Sequence, residues 1–201
     1  MSLSKFVKVG EVSNLSDARY CAGMGVDIMG FVIDPENEAY VNPDTFAEIV
    51  GWVAGVSYCG EFSASSLENY TEQISKYELQ YIQCDNLDAL NGISGVEKIL
   101  QFNISAKADL EELQSILIQN GLDLAYILIE AEDSLVEATD NLLQEVQTNY
   151  QIIKGYGLSA ETVDSLNSSF HGIALKGSAE IRPGYKDFDE LADILEVLEE
   201  D

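Results

Sequence analysis

Basic residues are scarce in this chain. Its 201 residues include 10 Lys plus Arg against 36 Asp plus Glu, a formal net charge of −26. Nucleic acids and anionic membranes are bound through clustered Lys and Arg that neutralise phosphates. We therefore expect neither of them as a partner, and solubility accounts for most of the acidic charge.

Long hydrophobic runs and metal-like cysteine spacings are also absent. No run of about 18 apolar residues suggests a membrane span, and residues 1–5 lack the apolar stretch of a signal peptide, so the expected location is cytoplasmic. Cys21, Cys59 and Cys84 are odd in number and share no C-x-x-C spacing, which predicts buried, reduced thiols. The single histidine, His171, is predicted to be structural, and Trp52 is predicted to lie in the core.

Short β-rich runs alternate with amphipathic segments along the whole chain, a pattern typical of parallel βαβ architecture. The predicted strands cover residues 6–9, 28–33, 56–62, 81–83, 98–102, 126–129, 152–154 and 172–175. The predicted helices cover residues 15–24, 43–54, 66–76, 87–91, 109–119, 133–148, 160–166 and 188–198. Asn42 before Pro43, and Asp187 before the last helix, are candidate N-caps.

Eight such alternations in one short chain fit a closed barrel or a doubly wound open sheet, and periodicity alone does not separate the two. In both folds, functional residues follow the C-terminal ends of the strands. Those positions are the ones to inspect for chemistry.

Five segments, in order and correctly spaced, carry a family resemblance. They are K-V-G-E-V-S-N-L-S-D-A at 8–18, G-V-D-I-M-G-F-V at 25–32, Y-V-N-P at 40–43, G-L-S-A-E-T-V at 157–163 and E-I-R-P-G-Y-K-D at 180–187. Together they resemble motifs of the phosphoribosylanthranilate isomerases. The matches span nearly the whole chain.

The resemblance implies a compact (β/α)8 TIM barrel with short loops, formed by a single domain over residues 1–201. It also implies a cofactor- and metal-free Amadori rearrangement in tryptophan biosynthesis, on a small phosphorylated substrate, by a monomer or homodimer. In the family, an acid protonates the ribose ring oxygen and a base removes the proton at the sugar C2.

Several positions depart from the family pattern. The cysteine base at the end of the first strand is Gly10 here, which has no side chain to accept a proton. The aspartate acid at the end of the sixth strand is Glu130, which keeps a carboxyl group and becomes the candidate general acid. The arginine expected to meet the anthranilate carboxylate is Ala39, and a histidine after the fourth strand is Asp85.

The phosphate-binding half of the site is altered but not abolished. The glycine-rich segments after the seventh and eighth strands read Y-G-L at 156–158 and A-L-K-G-S-A-E at 174–180. The resemblance assigns substrate or phosphate binding to Lys8, Gly157, Lys176, Gly177 and Ser178, through N–H groups and local cations.

Four carboxylates fall at or just beyond predicted strand ends: Glu11, Glu61, Asp85 and Glu130. A closed barrel would gather them at its mouth, whereas the alternative is that they point into solvent between loops. Side chains alternate along a strand, so Glu11 faces away from the position of the missing base unless the chain has already turned there.

The altered motifs leave three hypotheses. The first is an isomerase of this family with weak or lost activity and an unidentified base. The second is a repurposed barrel that binds a small molecule or a protein partner at the acidic mouth. The third is an enzyme of changed chemistry that uses the mouth carboxylates with a divalent cation, since hard oxygen ligands suit Mg²⁺ or Ca²⁺.

Overall fold

A computed structural model describes residues 2–65, 69–177, 180–182, 185–186 and 189–200. Eight parallel strands pair in chain order, and the last pairs with the first, so the sheet closes into a barrel. The strands are β1 (Phe6–Gly10), β2 (Ile28–Val32), β3 (Ser57–Phe62), β4 (Tyr81–Cys84), β5 (Glu97–Ile104), β6 (Tyr126–Ala131), β7 (Gln151–Lys154) and β8 (Gly172–Lys176). The predicted (β/α)8 barrel is confirmed, and the open sheet is excluded.

Helices connect most of the strands and cover the outside of the barrel. They are α1 (Leu15–Met24), α2 (Pro43–Val50), α3 (Tyr70–Ile74), α4 (Leu87–Asn91), α5 (Lys107–Ile118), α6 (Val136–Glu145), preceded by a 3-10 turn (Asp133–Leu135), and α7 (Asp189–Val197). Two short antiparallel pairs lie outside the barrel, Ser2–Leu3 with Glu199–Glu200 and Glu180–Arg182 with Tyr185–Lys186. No helix in the described ranges is long and apolar enough to cross a membrane.

Alternation along the strands divides the core in two. In β1, Val7 and Val9 belong to the large apolar layer between strands and helices, whereas Lys8 between them points into the barrel. Inside the barrel, one apolar layer is formed by Ile28, Cys59, Ile99, Leu128, Ile153 and Ala174. A second interior layer, nearer the C-terminal ends of the strands, is polar and forms the floor of the mouth.

The start of α2 follows the predicted capping signal. The Asn42 side chain accepts a hydrogen bond from the Thr45 N–H at 2.9 Å, and Pro43 occupies the first turn. We expect Asn42→Ala to lower the free energy of unfolding by about 1 kcal/mol, because one helical N–H loses its acceptor. Urea denaturation would measure this, and an unchanged midpoint would contradict the assigned cap.

The helix predicted over residues 160–166 is wrong. The segment forms successive turns instead, because its hydroxyl side chains bond to the nearby backbone. The Ser159 N–H donates to Thr162 Oγ1 at 3.0 Å, and Ser165 Oγ donates to the Thr162 carbonyl at 3.0 Å. These local bonds compete with the helical pattern that the apolar spacing suggested.

The prediction that Trp52 lies in the core is also wrong. The side chain is 71% exposed rather than in the core. The reason is that α2 ends at Val50 and its C-cap is Gly51, so Trp52 lies in the turn beyond the helix and no longer follows its buried face. The predicted cap Asp187 and the first residue of the last predicted helix lie outside the described residues.

Candidate active site

A cavity of about 230 Å³ opens at the C-terminal ends of the strands. Among the described residues, its polar lining comes from seven of the eight strands or the segments that follow them: Lys8, Glu11, Asn37, Glu61, Ser63, Gln83, Asp85, Gln101, Asn103, Glu130 and Lys176. We call this cavity the mouth. It brings together the four carboxylates that the sequence placed at strand ends.

A buried ion pair occupies the space beside Gly10. Lys8 Nζ donates to Glu61 Oε1, and both side chains are almost fully buried. A Cβ atom at Gly10 would lie 2.8 Å from Glu61 Oε1, and one at Gly30 would overlap the same carboxylate. The Glu61 carboxylate therefore fills the side-chain space that a larger residue at position 10 would need.

Lys8 is held charged by its partner. Burial lowers the pKa of the Lys8 ammonium, but the Glu61 carboxylate, together with Cys59 and Glu130, raises it by more, and the net pKa lies above its usual value. A paired carboxylate is the arrangement in which a buried amine retains its charge.

The chain turns at Glu11, immediately after β1. Strand alternation alone would point the Glu11 side chain away from the mouth, and the turn reverses that direction. Glu11 has a φ of +57°, a left-handed conformation that places its side chain at the mouth. Its backbone N–H donates to Glu61 Oε2 at 3.0 Å, and its carboxylate lies 3.7 Å from Lys176 Nζ. The strained backbone is stabilised by this hydrogen bond to the buried carboxylate.

Glu130 lies at the end of β6 and has a partner at each oxygen. Lys176 Nζ lies 3.1 Å from Glu130 Oε1, and Gln101 Nε2 donates to Glu130 Oε2 at 3.0 Å. The Lys176 ammonium is partly desolvated, yet the Glu130 and Glu11 carboxylates raise its pKa above the usual value. Glu130 is thus fixed by β5 and β8 at the edge of the mouth.

A chain of amide hydrogen bonds continues from Glu130 towards β4. Gln83 Nε2 donates to Gln101 Oε1 at 2.9 Å. The carbonyl oxygen of Gln83 is buried and accepts no hydrogen bond from the described part of the chain. Neither glutamine was predicted from the sequence. The sequence feature that could have identified them is their inward position on β4 and β5, because polar residues are unusual in a barrel core.

Asp85 occupies the outer rim. It accepts hydrogen bonds from Ser63 Oγ at 2.6 Å and from the Ala64 N–H at 2.9 Å. These contacts hold together the segments after β3 and β4. Asp85 is exposed, so it contributes charge to the entrance rather than to the floor of the mouth.

The residues assigned to phosphate binding are separated. Lys8 and Lys176 line the mouth but are paired with carboxylates. The Gly177 N–H donates to the Gly10 carbonyl at 2.7 Å, so it is already bonded. Gly157 has a φ of +57° and lies outside the mouth lining, and Ser178 lies outside the described residues. Their role in phosphate binding stays a prediction.

Among the described residues, no cysteine or histidine side chain lines the mouth. The three cysteines are buried and free, as predicted. Burial raises the pKa of Cys59 to about 12 and that of Cys84 to about 11, which keeps both thiols protonated at neutral pH. His171 stacks on Tyr126 at the opposite end of the barrel, with ring centroids 5.4 Å apart.

Metal binding by the mouth carboxylates has no geometric support. Across the described ranges, no group of three or more His, Cys, Asp or Glu side chains is arranged to hold a metal ion. The carboxylates of the mouth are instead engaged by ammonium, amide, hydroxyl and backbone N–H groups.

Known proteins were compared with the chain along its length. No family model matches. An N-(5'-phosphoribosyl)anthranilate isomerase from Sulfurihydrogenibium sp. (strain YO3AOP1) is 20% identical over 201 residues, which cover 96% of this chain and 98% of that protein. A phosphoribosylanthranilate isomerase from Thermotoga maritima aligns at 20% identity with a TM-score of 0.72, over 96% and 98% of the two chains.

Two further solved structures concern ligand and assembly. One is a phosphoribosylanthranilate isomerase in complex with reduced 1-(o-carboxyphenylamino)-1-deoxyribulose 5-phosphate, with 21% identity, a TM-score of 0.72 and coverage of 96% and 98% of the two chains. The other contains monomers generated from the dimeric Thermotoga maritima isomerase, with 20% identity, a TM-score of 0.71 and the same coverage. The resemblance read from the motifs is confirmed.

Proposed function

We propose that this chain, a phosphoribosylanthranilate isomerase-like barrel, catalyses aldose–ketose isomerisation at the mouth, with Glu61 in the place of the family's base and Glu130 as acid. The observation that carries the proposal is the position of the Glu61 carboxylate, 2.8 Å from where a Cβ at Gly10 would lie. A proton acceptor thus stands where the sequence alone leaves none.

The proposed reaction moves protons without a net change in atoms or electrons. In its protonated form Glu130 donates a proton to the ring oxygen, the bond between C1 and that oxygen breaks, and the nitrogen lone pair forms an iminium ion with C1. Glu61 removes the proton from C2, and the electrons of that C–H bond form a neutral enolamine. In the tautomerisation to the ketone, C1 receives the proton held by Glu61 and the C2 hydroxyl gives up its proton to Glu130, which restores both carboxyl groups. The open acyclic product remains an isomer of the substrate.

Activity on N-(5'-phosphoribosyl)anthranilate, the family substrate, is proposed to be weak. The cation expected at Ala39 is missing, and both lysines of the mouth are bound to carboxylates. Misplacement or loss of a general base costs about 10²- to 10⁴-fold. Membership of tryptophan biosynthesis, a phosphorylated substrate, a cytoplasmic location and a monomeric or homodimeric state accompany this proposal as predictions.

The test is a steady-state assay of the purified chain with this substrate, with product separated by chromatography. We expect Glu61→Gln and Glu130→Gln each to lower the residual kcat/KM by about 10²-fold. Glu72→Gln is the matched control, because Glu72 forms an exposed ion pair with Lys76 on α3. Far-UV circular dichroism verifies that each variant is folded at the assay temperature.

A wild-type rate equal to the uncatalysed rate would overturn the proposal, as would variants of Glu61 and Glu130 as active as the control. In that case the second candidate function applies, a barrel that binds a small molecule without transforming it. The buried, unpaired carbonyl of Gln83 favours that candidate, since it offers an acceptor to a ligand.

A further inference from the structure

The unpaired carbonyl of Gln83 has a fixed orientation. Before substrate binds, both oxygens of Glu130 face hydrogen-bond donors, so the Gln101 amide turns its NH₂ group towards Glu130. The carbonyl of Gln101 then faces Gln83 and accepts from its NH₂ group. The carbonyl of Gln83 then has no donor in the part of the chain that the structure describes, although its side chain is only 6% exposed and lines the mouth.

An unpaired buried acceptor is costly unless a donor reaches it. The penalty for a buried polar group without a partner is about 1–3 kcal/mol. A ligand with an O–H or N–H group would remove that penalty on binding. An ionised phosphate or carboxylate group has no donor to offer at this position, so the Gln83 carbonyl selects for hydroxyl and amine groups.

The charge of the mouth also limits which ligands can bind there. Four carboxylates and two lysine ammonium groups line it among the described residues. Both ammonium groups are paired, Lys8 with Glu61 and Lys176 with Glu130. The lining therefore carries an excess of negative charge that a cationic ligand relieves and a phosphate increases.

The volume of the mouth limits the size of the ligand that it can hold. Pockets for drug-sized molecules occupy about 300–1,000 Å³, whereas the mouth has about 230 Å³. We propose that the mouth binds a small hydroxylated amine of the amino-sugar type, with one hydroxyl or amine donor bonded to Gln83 Oε1. This inference rests on the proposed function only in placing the ligand at the same site.

The experiment compares three sugars that share one ring and differ in charge: glucosamine, glucose and glucose 6-phosphate. Isothermal titration calorimetry at low ionic strength measures each dissociation constant. We expect glucosamine to bind at least about 10-fold more tightly than glucose 6-phosphate, with glucose between them, and the difference to shrink as salt is added.

Two variants test the Gln83 carbonyl and the negative charge of the mouth separately. Gln83→Leu removes the unpaired carbonyl, and we expect the affinities for glucosamine and glucose to fall about 10-fold. Gln114→Leu, at an exposed position on α5, is the matched control. Glu11→Gln removes the charge of a half-exposed carboxylate, and we expect it to reduce the ratio between the affinities for glucosamine and glucose.

Three results would overturn the inference: no binding of any sugar, tightest binding of glucose 6-phosphate, or unchanged affinities in Gln83→Leu. These outcomes are distinct from those of the isomerase assay. Catalysis that depends on Glu61, together with preference for the phosphorylated sugar, would sink the inference and leave the proposed function standing. Tightest binding of glucosamine and weakest binding of glucose 6-phosphate, without isomerase activity, would support the inference and overturn the proposed function.

Discussion

Lys8→Met is expected to lower the free energy of unfolding by about 3–5 kcal/mol, the typical cost of removing one partner from a buried ion pair. The methionine side chain fills the volume of the lysine stem, but Glu61 then keeps a buried carboxylate without a cation. The only described donor left to it is the backbone N–H of Glu11, at 3.0 Å.

Urea denaturation of the wild type, Lys8→Met and the double variant Lys8→Met/Glu61→Leu measures the effect. The double variant should recover most of the loss, since apolar replacement of both partners removes the unpaired charge. Lys76→Met is the control, because the Lys76–Glu72 pair is exposed and worth about 0–1 kcal/mol. A loss in Lys8→Met no larger than in the control would show that Glu61 is not buried as described.

The pH dependence of stability gives the same pair a second readout. The folded-state pKa of Lys8 is raised, so its stabilising contribution is fully present below the unfolded value near 10.5. It is lost as the pH rises through the higher folded pKa. Wild-type stability should therefore fall in this alkaline range, and the corresponding fall should be absent from Lys8→Met.

The fold was predictable because its signals are local and repeated. Each strand is a short apolar run followed by a short connection, which predicts the alternation of strands and helices. The choice of a closed barrel over an open sheet came from the family resemblance of the ordered motifs, because periodicity alone fits both. The two errors arose where local chemistry decides the structure. Hydroxyl side chains replaced a helix with turns at 160–166, and a helix that ended at Val50 left Trp52 exposed.

The site was predictable only in part. Strand ends identified Glu11, Glu61, Asp85 and Glu130 as mouth residues, and all four line the same cavity. The sequence did not show which of them enters the space beside Gly10. That depends on the stagger of neighbouring strands in a closed barrel, which brings Glu61 of β3 across Gly30 of β2 to β1.

Two glycines face one carboxylate in the mouth. A side chain at Gly10 or Gly30 would collide with Glu61, so a side chain at either position and the buried carboxylate on β3 exclude one another sterically. Lys8 in turn neutralises that carboxylate. Gly10, Gly30, Glu61 and Lys8 therefore act as one unit, and a change at one of them affects the packing or charge of the others.

A cysteine placed at position 10 tests directly whether position 10, Glu61 and Lys8 share one space. We expect Gly10→Cys/Glu61→Ser to exceed Glu61→Ser alone in isomerase activity by about 10²- to 10⁴-fold, the range attributed to a general base. The Glu61→Ser change frees the space. A Cβ at Gly10 lies 3.3 Å from Lys8 Nζ, so the ammonium lowers the pKa of the new thiol and favours the thiolate.

Two variants isolate the thiol from other effects of the substitutions. Gly10→Ser/Glu61→Ser has nearly the same shape but a hydroxyl that is a poor base, and it should stay as inactive as Glu61→Ser. Gly10→Cys with Glu61 retained should gain little, because the carboxylate still fills the space at 2.8 Å.

The melting temperature provides a readout that does not depend on turnover. A thiolate beside Lys8 replaces the lost carboxylate as its partner, so the cysteine double variant should melt above both Glu61→Ser and the serine double variant. Equal activity and equal melting temperatures in the cysteine and serine double variants would mean that position 10 does not face Lys8. The shared space beside Gly10, on which the assignment of Glu61 as base depends, would then not exist.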